Sequence, residues 1–117
     1  MTVLKPAIEN TEQDWLDEDG YPTEEAIKRI AEWDYKEGWL PFMQFIRDLW
    51  AYADWGWEQE RKADDIHEYP GTEFRISTAG WSGNESLIGA MQQNRMFWAF
   101  NWVQSRRGGH FIFFVRD

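Results

Sequence analysis

The chain has 117 residues, a formal net charge of −9 and no cysteine, and aromatic residues make up 18% of it. This length favours one domain over residues 1–117, and the 43% hydrophobic content excludes a disordered polymer, because enough surface can be buried to offset chain entropy. The absence of cysteine excludes disulfide scaffolds, thiolate metal sites and cysteine nucleophiles.

The first half of the chain is predicted to form a helical layer behind an acidic arm. Residues 1–20 are polar and acidic and are expected to form an arm or a turn that closes at Gly20. Thr23 precedes two glutamates, which predicts a capped helix start. A second helix is predicted from Pro41, where proline suits a first helical position. Its apolar side chains recur at three- and four-residue steps: Phe42, Phe45, Ile46, Leu49 and Ala53. The helical layer is assigned to residues 21–57.

The second half is predicted to be a strand, a helix and a hairpin over residues 73–117, after a polar connector over residues 58–72. The predicted elements are a strand at 73–78, a helix from about 84 to 97, and strands at 102–105 and 110–115. Gly108 and Gly109 allow the positive φ of a tight hairpin. The order ααβαββ predicts an α+β fold with helices packed on one face of a small, mainly antiparallel sheet.

Charge is divided unevenly along the chain. Residues 1–70 carry 18 acidic against 7 basic side chains, whereas residues 71–117 carry 3 against 5. An acidic layer beside an arginine-bearing layer is therefore expected. The acidic layer would repel phosphates, which argues against direct binding of nucleic acid. It would attract a basic protein surface and speed that encounter.

The segment Gly80-Trp81-Ser82-Gly83-Asn84-Glu85 lies between a predicted strand and a predicted helix. Ser82 and Glu85 have the spacing of a capping box, and such a helix start also exposes amides that suit an anion. The segment is therefore interpreted either as a cap alone or as part of an anion site. It lacks the Gly-Lys-Ser/Thr ending of a phosphate loop and the glycine spacing of a nucleophile elbow.

Two arginines and a histidine mark the predicted hairpin tip, Ser105 to His110. They either hold a phosphate or carboxylate by paired hydrogen bonds or form a solvated turn. If the hairpin folds back beside the first strand, its tip approaches the segment from Gly80 to Glu85, which we call the serine bend. The candidate ligand-binding residues are then Trp81, Ser82, Asn84, Glu85, Arg106, Arg107 and His110.

Nine tryptophans exceed what one small core is expected to hold, and tryptophan is enriched at binding hot spots. The candidate partner-binding patch is Asp54, Trp55, Trp57 and Glu58, with a lid packed over the helices as the alternative. His67 lacks the second histidine that metal sites commonly use, so no metal and no cofactor are predicted. No catalytic residue is assigned, although Glu85 with His110 remains an acid–base alternative.

Several segments together resemble a family of small, uncharacterised bacteriophage and prophage proteins. They are Gly20 to Glu25, Asp54 to Trp57, Gly80 to Glu85, Phe97-Trp98, Trp102, and Ser105 to His110. The resemblance implies an accessory role in a phage setting, such as antagonism of a host defence. Our leading hypothesis is a non-enzymatic binding protein that occupies a host or phage protein surface. The alternative is a protein that binds or sequesters a small anionic ligand or nucleotide.

Location is predicted from what the sequence lacks. It has no apolar run of about 18 residues, the length that spans a membrane. The start, Met1 to Pro6, lacks the apolar core of a signal peptide. We therefore expect a protein of the host cytoplasm without membrane contact.

Overall fold

The computed structural model describes residues 15–117, so most of the predicted acidic arm lies outside the described residues. The helices are α1 (Glu24–Ala31), α2 (Trp39–Leu49), α3 (Ala53–Gly56), α4 (Ser82–Gln93) and α5 (Arg95–Asn101), with a 3-10 turn at Tyr35–Glu37. The strands are β1 (Trp57–Ala63), β2 (Pro70–Ser77), β3 (Trp102–Arg106) and β4 (His110–Arg116). None of these helices is long and apolar enough to cross a membrane.

The four strands form one antiparallel sheet in the order β1-β2-β4-β3. The α+β prediction is confirmed. On one face, Phe74 and Ile76 of β2 and Phe113 and Val115 of β4 are buried in a single hydrophobic core with helical side chains. Residues that alternate with them face the other way, so the sheet has a helix-covered face and an open face.

The prediction of a polar connector over residues 58–72 is wrong, because Trp57–Ala63 form β1 and β2 already begins at Pro70. The pattern did not reveal β1 because only Trp57 of its seven residues is buried. The residues after Trp57 place charged side chains on both faces of the strand, so they do not show the alternation that marks a half-buried strand. An edge strand shows no such alternation when both of its faces are largely exposed to water, as they are beyond Trp57.

The single predicted helix at 84–97 is also wrong, since the chain breaks at Asn94 into α4 and α5. The Asn94 side-chain amide donates to the carbonyls of Ile30 and Trp33, at 2.9 and 3.0 Å. Its side-chain oxygen accepts from the Phe97 amide at 3.1 Å and caps α5. The break is thus imposed by contacts with the end of α1, which local sequence does not show.

Candidate functional site

The predicted apposition of the serine bend and the arginine tip is partly realised. The Thr78 amide, at the end of β2, donates to the Gly109 carbonyl at 2.9 Å. The hairpin turn therefore lies against the residues that lead into the serine bend. Gly108 and Gly109 have φ of 88° and 82°, as the predicted hairpin requires.

Gly109 is fitted tightly against Thr78, since a Cβ there would lie well inside van der Waals contact with the Thr78 hydroxyl. We expect Gly109→Ala to lower the free energy of unfolding by about 1–2 kcal/mol more than Gly108→Ala. Both variants strain a positive φ, but a Cβ at Gly108 meets only the His110 ring, at 3.5 Å. Urea unfolding of both variants measures the difference. Equal losses would contradict the apposition of the two turns.

The serine bend itself is occupied by internal contacts. The Trp81 ring stacks on Tyr21, with centroids 4.8 Å apart, and lies over Gly83, where a Cβ would collide with it. The prediction of a capping box is wrong. Helix α4 starts at Ser82 itself, and its N-cap residue, Trp81, makes no side-chain capping hydrogen bond. Ser82 and Glu85 are exposed on the first turn.

Asn84 is not available to a ligand. Its side chain is fully buried. Its oxygen accepts from the Ala51 amide at 2.9 Å, while its amide group donates to the carbonyls of Ala51 and Thr78 at 2.9 and 3.4 Å. These bonds tie α4 to the segment after α2 and to the end of β2. The prediction that Asn84 binds a ligand is therefore wrong, and its role is structural.

The predicted partner-binding patch is divided between core and surface. Trp57 is only 5% exposed and packs on Trp50 and Phe74, so its predicted exposure is wrong. Trp55 is 63% exposed and stacks on Tyr52. Asp54 and Glu58 are also exposed. Trp55 and Trp57 differ in exposure because the chain passes from helix α3 into strand β1 at Trp57.

A cleft at the hairpin end of the sheet brings together residues from both predicted sites. This tip cleft has a volume of about 370 Å³ and is lined by Trp55, Gly56, Glu58, Arg75, Ile76, Ser77, Arg106, His110, Phe111 and Ile112. The Arg106 guanidinium donates a hydrogen bond to the Gln104 side-chain oxygen at 3.3 Å, and the Arg75 guanidinium donates to the Glu73 carboxylate at 3.1 Å. Of the predicted ligand residues, Arg106 and His110 line this cleft. Trp81, Ser82, Asn84, Glu85 and Arg107 do not.

A second depression lies at the other end of the open face. This β3 groove, also of about 370 Å³, has an apolar floor and wall formed by Ile66, Phe100, Val103 and Phe114. Its polar rim is Lys62, Asp64, Asp65, His67, Glu73 and Arg116. Ile66 is 81%, Phe100 72% and Val103 50% exposed. These are large apolar side chains left in water on one side of the sheet.

The loop that carries Ile66 is held by Asp64. One Asp64 carboxylate oxygen accepts from the amides of Ile66 and His67, at 2.7 and 3.3 Å. His67 stacks on Tyr69, and the Arg116 guanidinium lies 3.9 Å from the Tyr69 ring centroid. The charged cluster around His67 is thus a structured turn that presents Ile66. Among residues 15–117, no group of three or more acidic or histidine side chains is placed to hold a metal ion.

The Ile66 amide, donating to the Asp64 carboxylate, holds the pKa of Asp64 below its usual value of 3.8. A lowered pKa stabilises the loop at every pH above 3.8, and this contribution is lost as pH falls through the folded value. We expect the Ile66 amide resonance to titrate with a midpoint below 3.8. Nuclear magnetic resonance across acid pH measures it, with Asp64→Asn as the control that abolishes the step. A midpoint at or above the usual value would contradict the turn geometry.

The sequence prediction missed the β3 groove. One signal was present: Met96 to Val103 contains two phenylalanines and two tryptophans, more than the buried side of a short helix can hold. Phe97 is fully buried whereas Phe100, one turn later, is exposed. Ile66, isolated in a charged segment, was the second signal.

Comparison with known proteins gives this chain no relative: no protein-family model, no curated protein and no solved structure matches it.

Proposed function

We propose that this chain is a small, non-enzymatic binding protein of bacteriophage type that occupies the surface of a host or phage protein. In this proposal it works in the host cytoplasm, without contact to membrane or nucleic acid, and antagonises a host defence. The phage setting rests on the sequence resemblance. The binding role is supported by the surface of the protein.

The observation that carries the binding role is the β3 groove. Monomeric globular proteins seldom leave adjoining large apolar side chains exposed without a functional reason. Here Phe100, Val103 and Ile66, each at least half exposed, surround one depression. An apolar centre with a charged rim is the composition of a protein–protein interface. We therefore assign the partner to this groove instead of to the patch around Trp55 and Trp57.

The test is affinity capture of the partner from host lysate by the full chain and by two exposed-aromatic variants. Phe100→Ser removes the most exposed ring of the groove, whereas Tyr35→Ser removes a ring that is 54% exposed on the 3-10 turn. We expect one protein to be captured by the unmodified chain and by Tyr35→Ser, and its recovery to fall at least tenfold with Phe100→Ser, since hot-spot truncations cost about 2 kcal/mol or more. Equal recovery by all three, or capture of nothing, would contradict the proposal.

A second candidate function, binding of a small anionic ligand or nucleotide, is favoured by the tip cleft. There the exposed Trp55 ring lines the same cavity as Arg106 and His110, so one ligand could meet an aromatic surface and two nitrogen donors. Glu58 lines the cleft as well and opposes an anion.

A nucleotide panel in a thermal melt tests this candidate. Binding to the folded state should raise Tm by several degrees at saturating ligand. Arg106→Ala should abolish the rise, and Arg107→Ala, which removes the adjacent guanidinium from outside the cleft, should preserve it. An unchanged Tm across the panel, or equal effects of the two variants, would rule the candidate out.

A further inference from the structure

The two edges of the sheet are formed by β1 and β3. All five residues of β3 are exposed, and no other strand within residues 15–117 pairs with its outer side. A strand at the edge of a sheet presents unpaired amide and carbonyl groups, which are a template for one more strand. The backbone of β3 is therefore available for pairing.

The edges differ in how they discourage such pairing. Along β1, Glu58, Glu60, Arg61 and Lys62 place charges on both faces, the usual protection of an edge against association. The protection of β3 is different: its pairing with β4 is irregular between Trp102 and Gln104. Its residues Trp102 to Ser105 carry no charge, and only Arg106 at the end does. An incoming strand would desolvate ionic groups at β1 and almost none at β3. Pairing is favoured at β3.

The β3 groove lies beside this edge and supplies specificity. Val103 belongs to both the strand and the groove, and Phe100 lies on α5 two residues before the strand begins. When an extended peptide adds to a sheet, its main chain supplies affinity, and alternate side chains enter pockets on the face of the sheet. A strand along β3 would therefore place an apolar side chain against Val103 and Phe100.

Charge at the Arg106 end of β3 favours carboxylates in the incoming segment, whereas the acidic rim residues of the β3 groove lie at the other end of the strand. Residues 86–116 contain four arginines and neither aspartate nor glutamate, in a chain of net charge −9. Arg106 ends β3, Arg107 follows it, and Arg95 begins the helix that leads into it; all three are exposed. A carboxylate beside this edge would gain charge-assisted hydrogen bonds. A second copy would instead bring the same arginines to this edge, and repulsion between them disfavours self-pairing.

From the open edge, the groove and the arginines, we infer that the partner adds an extended, acidic segment to β3 as a fifth strand, with an apolar side chain in the β3 groove. This inference rests on the proposed function and specifies how the partner docks. The segment lies along the edge from Trp102 to Arg106, and its carboxylates meet Arg106 and Arg107.

A displayed library of random peptides of about ten residues, the length of a long strand, provides the probe. We expect selection on the full chain to enrich peptides that combine alternating apolar residues with carboxylates. Bound peptides should slow amide hydrogen exchange in β3. Val103→Asp should weaken their binding by at least tenfold. Gln104→Glu should weaken it several-fold, while Gln59→Glu, the same change on the opposite edge strand, should leave it unaltered, since only the former lies beside the bound carboxylates.

The inference is overturned if no peptide is enriched, if the enriched peptides lack carboxylates, or if the protected amides lie outside β3. Sedimentation that finds a dimer separated by Val103→Asp would overturn it in favour of a second copy. These results are separable from failure of the proposed function. Capture that depends on Phe100 without protection of β3 amides would keep a protein partner and remove strand addition.

Discussion

Phe97→Ala is expected to lower the free energy of unfolding by about 3–5 kcal/mol, because it removes a large ring from the centre of the core. Phe97 is fully buried, and its ring centroid lies 4.4 Å from that of Phe42 and 5.3 Å from that of Phe113. It thereby joins α5 to α2 and to the helix-covered face of the sheet. Urea unfolding of the variant measures the loss.

The matched control is Phe100→Ala, one turn later on α5. Phe100 is 72% exposed, so its removal should change stability by no more than about 0.5 kcal/mol. The contrast between two phenylalanines on one helix separates a core role from a surface role. A loss with Phe100→Ala that approached the loss with Phe97→Ala would mean that Phe100 is packed in the protein, and the β3 groove would not exist as described.

Asn84→Ala is expected to cost about 1–3 kcal/mol of stability, because it removes a fully buried side chain that bonds the half-buried amide and carbonyl of Ala51. If Asn84 served a ligand, the same variant would weaken ligand binding and leave the unfolding curve in place. Chemical unfolding decides between these results. Ser82→Ala and Glu85→Ala are the controls, since both side chains are exposed on the same helical turn and should be nearly neutral. A neutral Asn84→Ala would contradict the structural role.

The parts of the fold that local physics determines could be predicted from the sequence. Thr23 accepts from the Ala26 amide and starts α1, as its position before two glutamates predicted. The alternation in Glu73 to Ser77 gave a strand with one buried face. Gly108 and Gly109 gave the hairpin. Each of these signals operates within a few residues.

The remainder depends on contacts between distant segments. Asn94 breaks a helix because its side chain reaches the end of α1, more than sixty positions earlier. β1 is a strand because it pairs with β2, although its own residues give no such pattern. Burial of Trp57, which pairs with Ile76, follows from that same pairing. Sequence spacing could not reveal it.

The candidate sites show the same division. Arg106 and His110 share a cleft because β3 and β4 form the predicted hairpin, in which these two residues lie opposite each other. Trp55 and Glu58 join them only through the pairing of the unpredicted β1 with β2. The β3 groove requires the break at Asn94, the exposed side of α5 and the turn around Asp64 together. No single motif in the chain encodes that combination.

Site-specific photocrosslinking locates the surface at which the partner binds. A photoreactive benzoylphenylalanine would replace Phe100, Trp55 or Tyr35, one at a time, in the full chain expressed in host cells. We expect irradiation to join the Phe100 probe to one cellular protein that neither other probe captures. A crosslinked protein shared equally by the three probes, or captured only from Trp55 or Tyr35, would contradict the assignment of partner binding to the β3 groove.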